Sequence, residues 1–492
     1  MKFRIPVLTS LIFLAMAGAV TPQNAQPGEA EFLSLCKRLQ TDLDSTLTGK
    51  KIPGASAAVV LSDGRSCTAA SGQTDFTGGR KLAPNDPILA GSIGKTFVAA
   101  FAMQLVEEGK LELDQKIAKW LADRTWFAQL PNGNDVTVRM LMNHSSGIPD
   151  HVDDKSFFSV AMKDVDRDVS YDYLLTFILG KKALFPAGSG FSYADTNYIL
   201  LAMIEEKAAG HAMYDEVATR FLSPFKLEHT TPANKNLDPA VHGFNDGKPV
   251  VKRGKLIINP QWEWAGGGFW STPLDLAKWA SALYGGKVLK KSTLDEMLKS
   301  RAPGDGRNYG LGVEIADTKW GPGYGHDGEW PGYISIMRFY PSHHCSVALQ
   351  YNASGTREAE AYGDSIIDDL AGIFIEATMP KLSDVARTEF EKLTLAWLAK
   401  IDRRQLSESW DDISSALKEK YPREGWPDAL KPLLSKTGPL KRRTLKSVTQ
   451  TEPDVITVNF ESSFEKLPIG REIVVLKREA DGKWSVSSYS IK

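Results

Sequence analysis

Ala90-Gly91-Ser92-Ile93-Gly94-Lys95-Thr96-Phe97 is the stretch on which the reading of this chain turns. Phe97, Phe101 and Leu105 follow at helical spacing, and Gly109 can close the helix. Ser92 therefore sits at or near a helix N-terminus. One helical turn separates it from Lys95, so the amine can fold back beside the hydroxyl. A serine hydroxyl is a weak nucleophile until a neighbour takes its proton, and a lysine amine can do so if its surroundings lower its pKa. The helix dipole and free backbone N–H groups favour negative charge nearby. Taken alone, Ser-x-x-Lys is a weak signal, and Lys95 read alone is a solvated helix lysine.

Outward from this stretch, two further segments matter. Phe191-Ser192-Tyr193-Ala194-Asp195-Thr196-Asn197 follows a tight turn at Pro186-Ala187-Gly188-Ser189-Gly190, and Gly325-His326-Asp327-Gly328-Glu329-Trp330-Pro331-Gly332-Tyr333 stands just before a predicted strand. With Ser92-x-x-Lys95, these form an ordered set. The chain here resembles the serine β-lactamase and D-alanyl-D-alanine peptidase superfamily, class C-like branch. That family shows Ser-x-x-Lys, then Tyr-x-Asn or Tyr-x-Asp, then Lys-Thr-Gly or His-x-Gly. Connecting segments such as Leu141-Met142-Asn143-His144-Ser145-Ser146-Gly147 and Gly266-Gly267-Gly268-Phe269-Trp270 share the likeness, which covers roughly Glu29 to Glu376.

The resemblance implies roles residue by residue. Ser92 would form an acyl-enzyme, and Lys95 and Tyr193 would share the proton work. Close cations could lower the tyrosine pKa from its ordinary value near 10 and make it a base. Asp195 would orient Lys95 and the substrate amide, or it caps the following helix; both readings stand. The backbone N–H groups of Ser92 and Glu329 would form the oxyanion hole, with Gly328 letting the backbone approach the substrate. His144 falls in a structural turn. His326 replaces the lysine of most β-lactamases and would be mostly neutral at pH 7. Asp327 adds a negative charge beside it, which weakens binding of a substrate carboxylate and argues against an efficient β-lactamase.

The implied architecture is α/β: an antiparallel β-lactamase/transpeptidase-like sheet flanked by helices, plus a helical subdomain, followed by a small α+β domain. The strand pattern agrees. A hairpin is predicted at Ala55–Leu61 and Ser66–Ala70, and strands return at Gly310–Ile315, Tyr333–Tyr340 and Cys345–Tyr351, so one sheet would be built from both ends of the domain. Met379-Pro380-Lys381 marks a boundary. Beyond it, helices are expected at Asp384–Ile401, Ser407–Lys420 and Trp426–Leu434, then four strands. In the second of these, Ile456, Val458 and Phe460 alternate with polar residues. The expected division is residues 1–20 as a signal peptide, 29–378 as the hydrolase domain and 381–492 as the small domain. The last resembles a domain family of unassigned function in bacterial envelope proteins, through Ala396-Trp397-Leu398, Asp402, Ser409-Trp410 and Trp426.

Composition narrows the partners. The 492 residues carry a formal net charge of -1, with 24% charged residues, so no global field draws the chain to nucleic acid or anionic lipid. Lys2 and Arg4 precede an apolar run from Ile5 to Val20 with small-x-small sites behind it, which reads as a cleaved secretory signal. The run is shorter than the roughly 20 residues that span a bilayer. A periplasmic or extracellular location is expected, with a small-molecule or peptide substrate, no nucleic acid and no membrane span after cleavage. The oligomeric state is left open. No cofactor or metal is expected, since no metal-ligand spacing occurs. Three cysteines, Cys36, Cys67 and Cys345, cannot all pair within one chain. The implied fold puts one strand between Cys67 and Cys345, too far for a bridge, and all three are expected to be merely buried. The leading expectation is a serine hydrolase of the D-alanyl-D-alanine carboxypeptidase or esterase type, acting on cell-wall-type D-amino-acid peptides, β-lactams or small esters. The alternative is a non-hydrolytic penicillin-binding-type sensor or binding protein of the cell envelope.

Overall fold

The computed structural model describes residues 26–76, 78–233, 239–299, 308–379, 382–452 and 454–491. The expected signal peptide lies outside them. The chain forms two compact units, one spanning Gln26–Thr378 and one containing the residues from Met379 onward.

In the larger unit, helix α1 (Glu29–Leu47) precedes the hairpin β1 (Gly54–Val60) and β2 (Ser66–Gly72). The other strands come from the far end: β3 (Asn308–Tyr309), β4 (Glu314–Thr318), β5 (Gly321–Trp330), β6 (Tyr333–Tyr340) and β7 (Cys345–Tyr351). They make one seven-stranded antiparallel sheet in the order β3-β4-β5-β6-β7-β1-β2. The two ends of the unit thus meet where Ala55 pairs with Tyr351 and Val60 with Ser346. Alternate residues serve the two faces. On β7, Ser346 donates to the carbonyl of Ala277 in helix α4 (Pro273–Tyr284), while Tyr351 donates to the carbonyl of Ala359 in helix α5 (Arg357–Thr378). A sheet covered on both faces explains why β1, β6 and β7 are buried at every position.

The helical insert holds α2 (Gly94–Glu107) and α3 (Asp195–Ala209). Both are buried over most of their circumference, polar residues such as Lys95, Thr96, Thr196 and Asn197 included. Phe97 of α2 stacks on Trp279 of α4 at 4.3 Å, and the indole N–H of Trp279 donates to Thr96 Oγ1. Helix, insert and sheet therefore lock together directly behind Ser92.

Two local expectations are corrected. The segment Gly325–Trp330 does stand just before the strand Tyr333–Tyr340, but it is itself part of a strand, β5, which begins at Gly321. Its glycines hide the apolar alternation that marks a strand. The cysteines are not all merely buried. Cys36 of α1 and Cys67 of β2 form a disulfide with Cα atoms 5.4 Å apart, and Cys345 stays a free buried thiol. Strand β1 separates Cys67 from Cys345, and it was the packing of α1 on β2 that supplied the partner.

The smaller unit has helices α6 (Asp384–Asp402) and α7 (Trp426–Thr437) and an antiparallel meander of β8 (Leu440–Glu452), β9 (Val455–Phe464), β10 (Gly470–Arg478) and β11 (Trp484–Ile491). Trp397, Leu398, Trp426, Ile456, Val458 and Phe460 form its core. The predicted helix Ser407–Lys420 is broken. Ile413 is extended and bridges Val486, and Ser414 caps a new helix by accepting from Leu417 N–H. Among the described residues, no helix is long and apolar enough to cross a membrane.

Candidate active site

Ser92 lies in a 3-10 turn, Gly91–Ile93, that runs straight into α2. Gly91 adopts φ +56°, and a Cβ there would lie 2.6 Å from the Glu329 amide nitrogen. A Cβ on Gly328 would lie 1.9 Å from the Ala90 carbonyl oxygen. Only residues without side chains let the turn and β5 touch in this way. The Ala90–Gly91 backbone next to Ser92 is thereby brought against Gly328 and Glu329; the glycine at 328 makes room for this turn.

Lys95 is fully buried. Its Nζ donates to Ser92 Oγ at 2.9 Å and to the Gly266 carbonyl at 2.5 Å, and pairs with Asp195 Oδ1 at 2.5 Å. Two of these contacts are hydrogen bonds, while Asp195 Oδ1 is held by proximity of charge without hydrogen-bond geometry. Nζ also stands 4.8 Å from the centre of the Tyr193 ring. The hydroxyl of Tyr193 is close enough to Ser92 to feel it, yet makes no hydrogen bond of good geometry. Burial pushes its phenol well above the ordinary value, and the carboxylates of Asp195, Glu314 and Asp150 push the same way. This overturns the expectation that nearby cations lower it. Lys95 addresses the ring face, and burial dominates at the oxygen. Tyr193 rests as a phenol.

Asp195 is the first residue of α3, and its two readings are now resolved. The helix start is capped by Asp150 from a separate loop, whose carboxylate accepts the N–H groups of Asp195 at 2.9 Å and Thr196 at 3.4 Å. Burial opposes the charge on Asp150, but His151 and the backbone N–H groups of Asp195 and Val152 hold its pKa down. The side chain of Asp195 is left for Lys95. Burial pushes the Asp195 carboxyl up, and the attraction of Lys95 only partly offsets this.

Sequence reasoning missed Glu263. It is buried, its Oε2 has no partner, and burial together with the charge of Asp195 pushes its carboxyl up to about 8. A Cβ on Gly267 would sit 2.3 Å from its Oε1 and equally close to the Gly91 carbonyl. A charged residue flanked by Trp262 and Trp264, just before Gly266-Gly267-Gly268, was the available signal.

His326 lines the cavity wall, and both its nitrogens are committed. The direction of each hydrogen bond follows from a backbone donor. The Ala194 N–H must donate to His144 Nδ1 (3.2 Å), so Nε2 of His144 carries the proton and donates to Tyr309 Oη (3.2 Å). Tyr309 then donates to His326 Nε2 (2.9 Å), and Nδ1–H of His326 donates to the Asp327 carbonyl (2.6 Å). Burial and the Lys95 charge push His326 down to about 3, so it is neutral, as its ordinary chemistry suggested. It offers a substrate a ring surface and no free nitrogen. His144 lies in a turn, as expected, with φ +56°, and its ring stands 4.2 Å from that of Tyr193. Asp327 does not add an uncompensated charge, because the buried guanidinium of Arg338 donates to its carboxylate at 2.8 Å.

A cavity of about 420 Å³ opens over Ser92 and Tyr193 and passes along Gly328 and Glu329. Among the described residues, no cluster of His, Cys, Asp or Glu could hold a metal ion.

Residues 39–371 match the family model described as Beta-lactamase, and residues 394–489 match a family described as protein of unknown function (DUF4019). Among curated proteins, the chain is 26% identical over 306 residues to penicillin-binding protein 4* of Bacillus subtilis, covering 59% of this chain and 66% of that one. It is 24% identical over 375 residues to penicillin-binding protein 4 of Amycolatopsis lactamdurans, covering 70% and 91%. A teichoic acid D-alanine hydrolase of Staphylococcus aureus is 26% identical, over 42% of this chain and 48% of that one. The chain thus spans just under two thirds of the length of the first of these relatives. Among solved structures, a D-stereospecific amidohydrolase from Streptomyces sp. aligns with a TM-score of 0.59 at 25% identity, covering 69% of this chain and 98% of that one. The D-amino acid amidase of Ochrobactrum anthropi shares the fold, with a TM-score of 0.60 at 23% identity over 70% and 98%.

Proposed function

This chain belongs to the beta-lactamase family, and from that premise we propose that it is a serine hydrolase that forms an acyl-enzyme on Ser92 with amide or ester substrates. The observation that carries this reading is that Ser92 Oγ, bonded from behind by Lys95 Nζ, and the unpartnered Tyr193 hydroxyl face one cavity. In the proposed reaction, Lys95 first passes a proton to the buried carboxyl of Asp195, whose raised pKa suits it to receive one. The neutral amine then takes the Ser92 hydroxyl proton as Oγ attacks the substrate carbonyl. The oxyanion faces the backbone N–H groups of Ser92 and Glu329. Tyr193, a phenol, gives its proton to the leaving group and recovers one from Lys95. A water then attacks the acyl carbon and gives its proton to the neutral Lys95 amine, which passes it to Ser92 Oγ as the acyl–oxygen bond breaks and the acid leaves.

Substrates of this site are D-amino-acid peptides, D-aminoacyl amides and small esters. The names of the D-amino acid amidase and the teichoic acid D-alanine hydrolase among its relatives support that range. The apolar run from Ile5 to Val20 supports export to the periplasm or beyond. Residues 29–378 would make up the hydrolase domain and 381–492 a separate small domain.

The test is labelling with fluorophosphonate and fluorescent penicillin, read by intact mass, in the wild type and Ser92→Ala. A mass adduct in the wild type that disappears in the variant is expected. An adduct that persists in Ser92→Ala, or no adduct with either probe, overturns the proposal.

A further inference from the structure

We infer that the cavity selects substrates carrying an ammonium group close to the scissile carbonyl, held between the carboxylates of Glu329 and Glu360. The inference rests on the hydrolase reading and deepens it.

The argument starts from strand pairing. β4 accompanies β5 only as far as Gly325, opposite Glu314. From His326 to Trp330, no described strand lies on that side of β5. The cavity wraps round this free edge. Ser92, Tyr193 and His326 lie to one side of it. On the other, Asp327 pairs with Ile336 and Glu329 with Ile334, so these side chains share the sheet face covered by α5. Glu360 stands on α5, one turn before Gly363, where a Cβ would meet Ile336 at 2.1 Å. Two glutamates from separate elements therefore converge beside the residue proposed to supply an oxyanion N–H.

The charges of the cavity are one-sided. Its lining includes the carboxylates of Glu314, Asp327, Glu329 and Glu360. Two cations stand close by and both are committed: Lys95 to Asp195 and Ser92, Arg338 to Asp327. His326 is neutral with both nitrogens occupied. No described cation pairs with Glu329 or Glu360. Glu360 accepts one bond, from Gly355 N–H to Oε1 at 2.8 Å, which fixes its carboxylate and leaves Oε2. Glu329 and Glu360 both keep contact with solvent; partial desolvation first, and then repulsion from Glu360, push the Glu329 carboxyl up. A cation between the two relieves that repulsion, whereas a substrate carboxylate adds to it. The unpartnered Tyr193 hydroxyl in the same cavity independently marks it as a place where a ligand supplies the missing contact.

The test compares kcat/KM for D-alanine p-nitroanilide with that for its N-acetyl derivative, with p-nitrophenyl propionate as the neutral reference. The wild type should prefer the free ammonium by about tenfold or more, and the preference should shrink between about 10 mM and 0.5 M NaCl. Glu329→Gln and Glu360→Gln keep the shape and the acceptor for Gly355 and should each cut the ammonium-to-acetyl ratio through KM. Equal rates in the wild type, or a preference that survives both substitutions and high salt, overturn the inference and leave the hydrolase standing if propionate is turned over. No turnover of propionate and no Ser92 adduct overturn the hydrolase reading itself.

Discussion

Two of the clusters of buried charge in this protein are finished differently. In the smaller unit, Glu472 is completely buried and accepts from Arg443 Nε (2.6 Å) and Nη2 (2.9 Å), Ser462 Oγ (2.6 Å) and Tyr489 Oη (2.8 Å). Arg443 donates onward to Asp402 at 2.8 Å and 3.2 Å. Burial opposes its charge, but these carboxylates raise its pKa above the ordinary value. Every strong group has its partners. Around Lys95, by contrast, Tyr193 Oη and Glu263 Oε2 have none, and burial drives both groups toward their protonated forms. A saturated network holds structure, while an unsaturated one keeps protons and lone pairs ready for an incoming molecule.

That contrast can be broken by substitution. The largest effect is expected at the unsaturated cluster. Lys95→Ala and Tyr193→Phe should each lower turnover by about two to four powers of ten, as for proton-transfer groups. Near-normal rates in Lys95→Ala would contradict the proton route. Next comes the saturated cluster. Glu472→Ala removes the shared acceptor of Arg443 Nε, Ser462 Oγ and Tyr489 Oη, leaving Arg443 only Asp402, and should cost about 3–5 kcal/mol in the unfolding transition of the smaller unit. Denaturant titration followed by tryptophan fluorescence reads this, and a loss under about 1 kcal/mol would mean that the network is not structural.

Tyr309→Phe sharpens the comparison, because it opens a saturated chain beside the reactive cluster. It leaves His144 Nε2–H and His326 Nε2 buried without partners and should cost about 1–3 kcal/mol. The smallest effect concerns Glu263. Its carboxyl stands at about 8 in the fold against an ordinary 4.5. Between those values the folded protein keeps the proton and the unfolded chain has released it, so stability falls as pH rises through that window. Glu263→Gln removes the penalty. The Tm difference between variant and wild type should therefore grow in the variant's favour from pH 5 to pH 8; a constant difference would show that Glu263 does not titrate there.

Much of this was legible from residue order. Ser92-x-x-Lys95 places hydroxyl and amine one helical turn apart in any helix, because the repeat of the helix is fixed. The alternation of Ile456, Val458 and Phe460 announces a strand whatever packs against it. Gly328 announces a close approach of the backbone, although not that Ala90 and Gly91 are what it approaches. The strand at Gly321–Trp330 escaped because its glycines remove the alternating signal, and the break at Ser414 escaped because a helix-compatible run was overruled by Ile413 pairing with Val486.

By itself, the sequence determined the local geometry of the nucleophile, the order of its three motifs and the change of pattern after Met379. Tertiary structure alone decided that Cys36 finds Cys67, that Asp150 and not Asp195 caps α3, that Arg338 neutralises Asp327, and that Glu263 joins the buried charges. The physical reason is common to all four. Charge compensation, burial and bond direction depend on which groups stand within a few ångströms, and in each case the deciding neighbour arrives from a separate element of the fold.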